Sequence, residues 1–287
     1  MSEIGAPEIE PPGLGHRTYQ GARRLASAVN RGLDLPFRLP TLPAVPSSTT
    51  YLVYRRRNAA VVAALLRDAE AAGGAAHLWA LDEPAPELAP WTRGGGPEPK
   101  FPLLRKMIGD HPPRPGDVVV VADDDVRFRR GSLGRFLALM AAAGLDLAQP
   151  PHAGPRNISH LITVGRARTL ARLTTFVEIG PIFALSPRLF DRWLADLDGV
   201  AMGWGLEARW GLYPREGYRL GIIDAVTIRH LGKVGIAYDR PEAVAERDAM
   251  LAAAGLTSIE ELAVTLDRWP RGTAVAPWLE TPARVPE

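Results

Sequence analysis

The stretch Asp117-Val-Val-Val-Val-Ala-Asp123-Asp124-Asp125-Val126 sets four consecutive valines in front of three consecutive aspartates. Valine carries two heavy atoms on Cβ and packs well on a pleated surface, so a short run of valines favours a strand that is covered on both faces. In open α/β sheets, ligands bind beyond the carboxyl ends of the strands, where these aspartates would emerge. The stretch therefore predicts a buried strand that delivers carboxylates to a ligand site.

Three adjacent carboxylates repel one another, and burial without a cation would raise the pKa of at least one of them. A divalent metal ion removes this conflict. The oxygen ligands suit Mg²⁺ or Mn²⁺, which typically bridges one or two protein carboxylates to substrate phosphates. An acidic turn in water is the alternative interpretation of the three aspartates, and the valines in front of them weigh against it.

The composition is that of an ordinary soluble globular protein, with 287 residues, 46% hydrophobic and 23% charged. The net charge of +2 argues against a dedicated binder of nucleic acid or another polyanion. Because the sequence contains no cysteine, disulfides and thiolate metal sites are excluded. The sequence shows neither an apolar run of about 18 residues nor a signal peptide, so we expect no membrane span and a cytoplasmic location.

The chain divides into three parts by composition. We expect a disordered tail, an amphipathic helix and a Pro-rich linker in residues 1–48. We expect the folded domain at residues 49–240, followed by a helical extension and tail at residues 241–287. The alternation of strands and helices in the domain predicts an α/β fold with a mixed, mainly parallel sheet and helices on both faces. The predicted strands are 50–54, 77–81, 117–122, 145–149, 175–185 with an interruption at Gly180-Pro181, 218–224 and 226–230. The predicted helices are 58–72, 101–108, 132–143 and 187–197.

The run Gly203-Trp204-Gly205-Leu-Glu207 places two glycines around a tryptophan and a carboxylate shortly after it. The glycines leave the backbone free to expose the indole, which could stack on a sugar ring. A buried structural tryptophan is the alternative.

Two basic residues near predicted strands could hold phosphate. The sequence contains neither Gly-x-Gly-x-x-Gly nor Gly-x-x-x-x-Gly-Lys-Ser/Thr, so the usual phosphate cradles are missing. Arg55 follows the first predicted strand and could contact a base or pyrophosphate through its planar guanidinium group. Lys100 lies one helix before the acidic strand and could contact a diphosphate. Solvated side chains are the alternative for both.

These motifs together resemble glycosyltransferases of the GT-A fold. The aspartates after a hydrophobic strand are similar to the Asp-x-Asp motif of these enzymes. The run at 203–207 resembles their Gly-Trp-Gly-x-Glu element, which lies on the acceptor side. His230 resembles a histidine near the end of the domain that completes the metal site in many of them. More narrowly, residues 176–183, the Gly-Trp-Gly-Leu run and residues 223–230 resemble the DUF707 family of glycosyltransferase-like proteins. The similarity covers roughly residues 95–235, with gaps.

The resemblance implies metal-dependent transfer of a sugar from a nucleoside-diphosphate sugar to an acceptor hydroxyl, with Mn²⁺ or Mg²⁺ as cofactor. It implies a metal site formed by Asp123, Asp125 and His230. Glu207 would be the general base, and Glu178 is its rival. The other implied contacts are with the donor, from Arg55, Lys100, Asp123 and Asp124, and with the acceptor, from Gly203, Trp204 and Gly205.

Two further groups could act around this site. Asp224 lies close in sequence to His230, so it could orient a metal ligand without binding the metal itself. Arg166, Arg168 and Arg172 could form a mobile basic segment over the donor, or an exposed basic loop.

Two other classes of protein fit parts of the pattern. A haloacid-dehalogenase-like phosphatase would use Asp123 as nucleophile and Asp125 as acid, but Arg127 stands where that pattern has a small hydroxyl or valine. An inactive module that binds nucleotide sugars without turnover is the other alternative, and the retained acids and histidine weigh against it.

Overall fold

The computed structural model describes residues 41–153, 158–232 and 240–280, so the predicted N-terminal tail and helix lie outside the described residues. The strands are β1 (Ser48–Tyr54), β2 (Ala75–Ala80), β3 (Thr92–Gly95), β4 (Val118–Asp123), β5 (Val126–Arg130), β6 (Leu147–Gln149), β7 (Thr169–Thr174), β8 (Ile182–Leu185), β9 (Leu220–Ile222), β10 (Thr227–His230) and β11 (Thr265–Pro270). The α-helices are α1 (Ala59–Ala71), α2 (Lys100–Asp110), α3 (Leu133–Ala142), α4 (Pro187–Asp196), α5 (Leu206–Trp210) and α6 (Arg240–Ala253).

Nine strands form one sheet in the order β11-β7-β9-β6-β8-β4-β1-β2-β3. Strands β1 to β4 are parallel to one another, β8 is antiparallel to both β4 and β6, and β7 is antiparallel to both β9 and β11. Because β6 and β9 are parallel, seven strands run in one direction and two run against them. The structure confirms the α/β class and the mixed, mainly parallel sheet.

The valine strand β4 lies inside this sheet, between β1 and β8. Its alternate side chains serve two different cores: Val118 and Val120 pack on one face, and Val119 and Val121 pack on the other. Full burial of one such side chain contributes about 1.5–3 kcal/mol relative to exposure. The continuous valine run is therefore explained by a strand that has no solvent-facing side.

Helices cover both faces, as predicted. Helices α1 and α3 contribute to the core that contains Val120, and helices α2, α4 and α5 contribute to the core that contains Val121. Among the described residues, none of the helices combines the length and the apolar character that crossing a membrane requires.

A second, two-stranded sheet is formed by β5 and β10, which run antiparallel. This pairing sets His230 directly opposite Val126, and the backbone N–H of Leu231 donates to the carbonyl of Asp125 at 2.9 Å. On the other side of β10, the N–H of Ala153 donates to the carbonyl of Ile228 at 2.6 Å. The small sheet thereby carries the late histidine to the end of the valine strand.

The C-terminal part contains the expected helix, α6, and also the strand β11, which pairs with β7 at the edge of the large sheet. Trp269 and Trp278 are buried, and the indole N–H of Trp278 donates to the carbonyl of Ala143 at 2.7 Å. Residues up to 280 therefore pack on the same core as the domain. β11 ends in Pro270, which is tolerated because this is an edge strand.

One predicted strand is shorter in the structure. Residues 175–181 leave the sheet after β7, and β8 begins at Ile182. The ring of Pro181 removes a backbone N–H that a strand ladder needs, and the side chains of Phe176 and Val177 instead pack in two separate apolar clusters.

Candidate metal and catalytic site

Asp123, Asp125 and His230 come together at the carboxyl end of β4. Each offers a ligand atom, and these atoms lie within 4.8 Å of one another. Asp123 ends β4, Asp125 occupies the turn before β5, and β10 delivers His230. Nε2 of His230 lies 3.1 Å from Oδ1 of Asp125. The structure thus assembles the three residues that were predicted as metal ligands.

The surroundings of these carboxylates fit a divalent cation. Two carboxylates and an imidazole are a donor set that Mn²⁺ accepts, and the three residues are half-buried. Glycine backbone lies against both carboxylates: a Cβ on Gly232 would lie 2.0 Å from Oδ2 of Asp125, and a Cβ on Gly180 would lie 2.8 Å from Oδ2 of Asp123. Any larger residue at these two positions would intrude on the oxygens that a metal needs.

Asp125 and His230 each shift the pKa of the other in the direction that favours its charged form. Burial alone would raise the pKa of Asp125, but the hydrogen bond from His230 and its positive charge hold that pKa below its usual value. Burial alone would lower the pKa of His230, whereas the carboxylates of Asp125, Asp123 and Glu178 raise it. A cation bound here would take the place of the imidazolium proton, because a histidine ligand must be neutral.

Lys100 reaches the same group from the first turn of α2. Its Nζ lies 2.6 Å from Oδ1 of Asp123, and the side chains are 15% and 28% exposed. Lys100 is thus a poorly exposed cation bound to one of the candidate metal ligands. The geometry is compatible with the predicted diphosphate contact.

Asp124 points away from its two neighbours. It is buried, and it accepts the backbone N–H of Arg55 at 2.8 Å, which ties the end of β1 to the end of β4. Burial raises the pKa of Asp124, opposed by the N–H of Arg55 and by Asn58, and the neighbouring carboxylates add to the rise. In this structure Asp124 therefore has a structural role, because its carboxylate joins two strand ends through a hydrogen bond. The half-buried Arg55 takes part in this contact through its backbone N–H.

Glu178 is held deep in the protein by hydrogen bonds with two groups. It is 8% exposed, its Oε2 lies 3.1 Å from Nε2 of His152, and its backbone N–H donates to the side-chain carbonyl of Gln149. Burial alone would raise its pKa, but the hydrogen bond with His152 and the charges of His152 and His160 lower it. Glu178 is thus an ionised, firmly oriented carboxylate.

Glu207 is the second buried carboxylate and has the opposite electrostatic character. It lies in the first turn of α5, and its Oε1 accepts the backbone N–H of Ile179 at 3.2 Å, so it stands next to the chain that carries Glu178. Burial raises the pKa of Glu207, and Glu178 adds to the rise, although His160 opposes it. Two neighbouring carboxylates with pKa values pushed apart suit a division into a proton acceptor and a fixed charge.

The loop before Glu207 needs its glycines. Gly203 and Gly205 have φ angles of 84° and 93°, and a Cβ on Gly203 would lie 1.9 Å from the ring of Phe101. The carboxylate of Glu246 accepts the backbone N–H groups of residues 201, 202 and 203 at 2.7 to 3.0 Å. Trp204 is half-buried rather than fully exposed. The loop is therefore a fixed structure, held by α6.

Sequence reasoning missed two histidines of this region. His152 holds Glu178, and its ring centroid lies 6.5 Å from that of His230. His160 has Nδ1 2.8 Å from Oε1 of Glu260, and although burial opposes it, the carboxylates of Glu260, Glu178 and Glu207 raise its pKa. Neither histidine stands in a recognisable spacing, and Glu260 comes 100 residues after His160. Their roles depend on contacts that the sequence does not show.

Asp224 and Arg172 do not act at this site. Both are fully buried, and the guanidinium of Arg172 donates to both carboxylate oxygens of Asp224 at 2.8 and 3.2 Å. The expectation that Asp224 orients the metal site is wrong, because Arg172 and the backbone N–H of Arg166 occupy its oxygens. Arg172 likewise is part of β7 and not of a mobile basic segment.

Comparison with solved structures finds distant similarities. The chain is similar to a structure described as GalNAc-T7 with UDP, GalNAc and Mn²⁺, with 11% sequence identity, a TM-score of 0.48, and coverage of 83% of this chain and 57% of that chain. It is also similar to A197 from STIV, with 10% identity, a TM-score of 0.33, and coverage of 65% of this chain and 86% of that chain. No protein-family model and no curated protein sequence matches the chain. At these identities and TM-scores, neither structure assigns a function to this chain.

Proposed function

We propose that this protein is a metal-dependent glycosyltransferase of the GT-A type, which moves a sugar from a nucleoside-diphosphate sugar to an acceptor hydroxyl. The observation that carries the proposal is the meeting of Asp123, Asp125 and His230 within 4.8 Å at the carboxyl end of β4, with Lys100 bound to Asp123. The resemblance of the sequence motifs supports it. No family model supports the narrower resemblance to the DUF707 family. We also propose that the protein is located in the cytoplasm.

The donor diphosphate would be held from two sides. Asp123, Asp125 and His230 would hold Mn²⁺ or Mg²⁺, which supplies a Lewis acid that neutralises the leaving diphosphate. Lys100 adds a positive charge beside Asp123, and Arg55 stands at the end of the neighbouring strand β1. When the bond between the sugar and the diphosphate breaks, these residues would stabilise the negative charge that develops on the leaving oxygen.

Glu207 is the better candidate for the general base. Its raised pKa brings the carboxylate closer to neutral pH, where a base accepts a proton most effectively. The proton of the acceptor hydroxyl would pass to Glu207 as the oxygen forms its bond with the sugar. Glu178 would keep its negative charge and orient the acceptor or His152, because its lowered pKa makes it a weaker base. The adjoining loop at Gly203, Trp204 and Gly205 is proposed to contact the acceptor.

The phosphatase alternative is disfavoured by the same charges. A haloacid-dehalogenase-like mechanism would need Asp125 as a proton donor, but His230 lowers the pKa of Asp125 despite its burial. A binding module without turnover would share the geometry, so catalysis must be measured.

Hydrolysis and transfer should be measured with a panel of nucleoside-diphosphate sugars, with Mn²⁺ and with EDTA. We expect release of one nucleoside diphosphate that requires the metal and is lost in Asp125→Ala. Binding of a nucleotide sugar without any turnover would support the inactive module. Release of phosphate from an aryl phosphate, with no activity on nucleotide sugars, would support the phosphatase.

A further inference from the structure

Lys100 stands at a position in its helix that does not favour a cation. It is the first residue of α2, and the first turn of this helix contains no acidic residue. The backbone N–H groups at a helix N-terminus carry a partial positive charge, so a lysine there is opposed by its own helix. Its anionic partner comes from the neighbouring strand β4, since Nζ of Lys100 lies 2.6 Å from Oδ1 of Asp123. This ion pair, and not the stability of α2, explains the position of the side chain.

The backbone that carries Lys100 is held in place, whereas its side chain can change partner. The next residue, Phe101, is fully buried, and its backbone N–H donates to the carbonyl of Ala201 at 3.2 Å. The side chain of Lys100 is 15% exposed and is directed at Asp123 rather than into solvent. Because the backbone is fixed, a change of partner needs only rotation about the bonds of the lysine side chain.

The two candidate metal carboxylates have cationic partners of different kinds. Asp125 is bound by His230, whose Nε2 lies 3.1 Å from Oδ1 of Asp125. An imidazole nitrogen is a common metal ligand, so His230 can stay beside Asp125 in a metal complex. The ammonium group of Lys100 has three donors and no acceptor, so it is not a ligand. At Asp123, Lys100 therefore competes with a metal ion.

Neither oxygen of Asp123 lets a metal ion avoid this competition. Oδ1 is bound by Nζ of Lys100, and Oδ2 belongs to the same carboxylate and lies beside Gly180. A divalent ion such as Mg²⁺ binds a carboxylate oxygen at about 2.0–2.1 Å. A metal on either oxygen would thus share one carboxylate with an ammonium group, and two cations this close repel each other. The ion pair between Lys100 and Asp123 must therefore oppose metal binding.

We propose that Lys100 is an internal competitor of the metal ion for Asp123. Lys100 leaves Asp123 when Mn²⁺ or Mg²⁺ binds, and its ammonium group rotates to a second position. The inference rests on the metal site of the proposed function. In the proposed transferase, the released ammonium group is then available to the donor diphosphate, so metal and donor strengthen each other's binding. Without the donor, the competition keeps the affinity for the metal low.

The first test is isothermal titration of Mn²⁺, without nucleotide, into the unmodified protein and into Lys100→Met. Lys106→Met is the matched control, because Lys106 is an exposed lysine of the same helix. We expect Lys100→Met to lower the Kd for Mn²⁺ by about tenfold, since a carboxylate held by another cation in about nine of ten molecules leaves one in ten ready for the metal. The control should keep the Kd of the unmodified protein.

The second test needs no variant. The chain contains three lysines, Lys100, Lys106 and Lys233, so acetylation of each by N-hydroxysuccinimide acetate can be followed by peptide mass spectrometry. We expect Mn²⁺ to accelerate the acetylation of Lys100 several-fold, because the ion pair no longer protects its amine. The acetylation of Lys106 in the same sample should not change.

Four results would count against the inference. An equal or weaker affinity for Mn²⁺ in Lys100→Met would overturn it and leave the metal site in place. Equal tightening in Lys106→Met would assign the effect to net charge instead of competition at Asp123. Acetylation of Lys100 that Mn²⁺ leaves unchanged or slows would show that the lysine stays on Asp123, which contradicts the exchange. If none of the three proteins binds Mn²⁺, the metal site of the proposed function fails together with the inference.

Discussion

Individual side chains of the candidate site have different electrostatic properties, and the clearest example is the pair Glu207 and Glu178. Both are buried, yet the pKa of Glu207 is raised and that of Glu178 is lowered, because His152 is bonded to Glu178 while Glu207 has a backbone N–H as its partner. The sequence alone favoured Glu207 as the general base and left Glu178 as its rival. The contacts separate them.

Replacing Glu207 with glutamine is predicted to leave the affinity for the donor unchanged, because the amide is nearly isosteric. Turnover should fall by about 10²–10⁴, the usual contribution of a general base. Initial rates beside donor titrations measure the two effects separately. Glu178→Gln is the matched variant; if it loses turnover and Glu207→Gln does not, the roles are reversed.

Gly203 provides a prediction about stability at the same scale. Gly203→Ala would place a Cβ 1.9 Å from the ring of Phe101 at a φ of 84°. Gly199→Ala is the matched control, since it shares a positive φ of 69° but has nothing within 4 Å of the added Cβ. The control should lose about 1 kcal/mol of unfolding free energy from backbone strain, and Gly203→Ala should lose about 1–3 kcal/mol more from overpacking. Denaturant titration measures both, and equal losses would mean that the loop moves freely away from Phe101.

At the scale of whole elements, the buried pair of Arg172 and Asp224 joins β7 to the turn between β9 and β10. Asp224→Ala is predicted to cost about 3–5 kcal/mol of unfolding free energy, because it leaves a buried guanidinium without its partner. Affinity for Mn²⁺ in the protein that remains folded should not change. Melting curves and metal titration test this together. A stable variant that has lost its metal affinity would restore Asp224 to the metal site.

Local sequence patterns predicted the individual strands and helices better than they predicted which strands pair with one another. The valine run, the start of the helix at residue 187 and the alternation of strands and helices depend on neighbouring residues, and the structure confirms them. The pairing of β5 with β10, and of β11 with β7, depends on contacts across about 100 residues, to which no local pattern refers. For the same reason His230 was recognised by motif, whereas His152 and His160 were missed.

For the molecule as a whole, stability should depend on pH in the acid range through His77. Burial, with the charges of Arg93 and His111, lowers the pKa of His77 to about 4, and Nε of Arg93 donates to its Nδ1 at 3.0 Å. In the unfolded chain this histidine titrates near 6.5. Between these values the unfolded state binds a proton that the folded state does not, so stability falls as the pH decreases from about 6.5 to 4.

His77→Gln should therefore flatten the loss of stability over this range, whatever its effect at neutral pH. Denaturant midpoints at a series of pH values, compared with the unmodified protein, measure the slope. An unchanged slope would assign the acid sensitivity to other groups.

Asp125, Asp123 and His230 are proposed to form a metal site at the end of the valine strand. The most direct measurement is isothermal titration of Mn²⁺ into the protein, into Asp125→Asn and into Asp124→Asn. The two substitutions make the same chemical change in adjacent residues, but Asp124 lies outside the group of ligands and accepts the N–H of Arg55. We predict that Asp125→Asn weakens Mn²⁺ binding by more than about tenfold while Asp124→Asn retains it. Equal affinities in all three proteins, or a loss confined to Asp124→Asn, would contradict the claim.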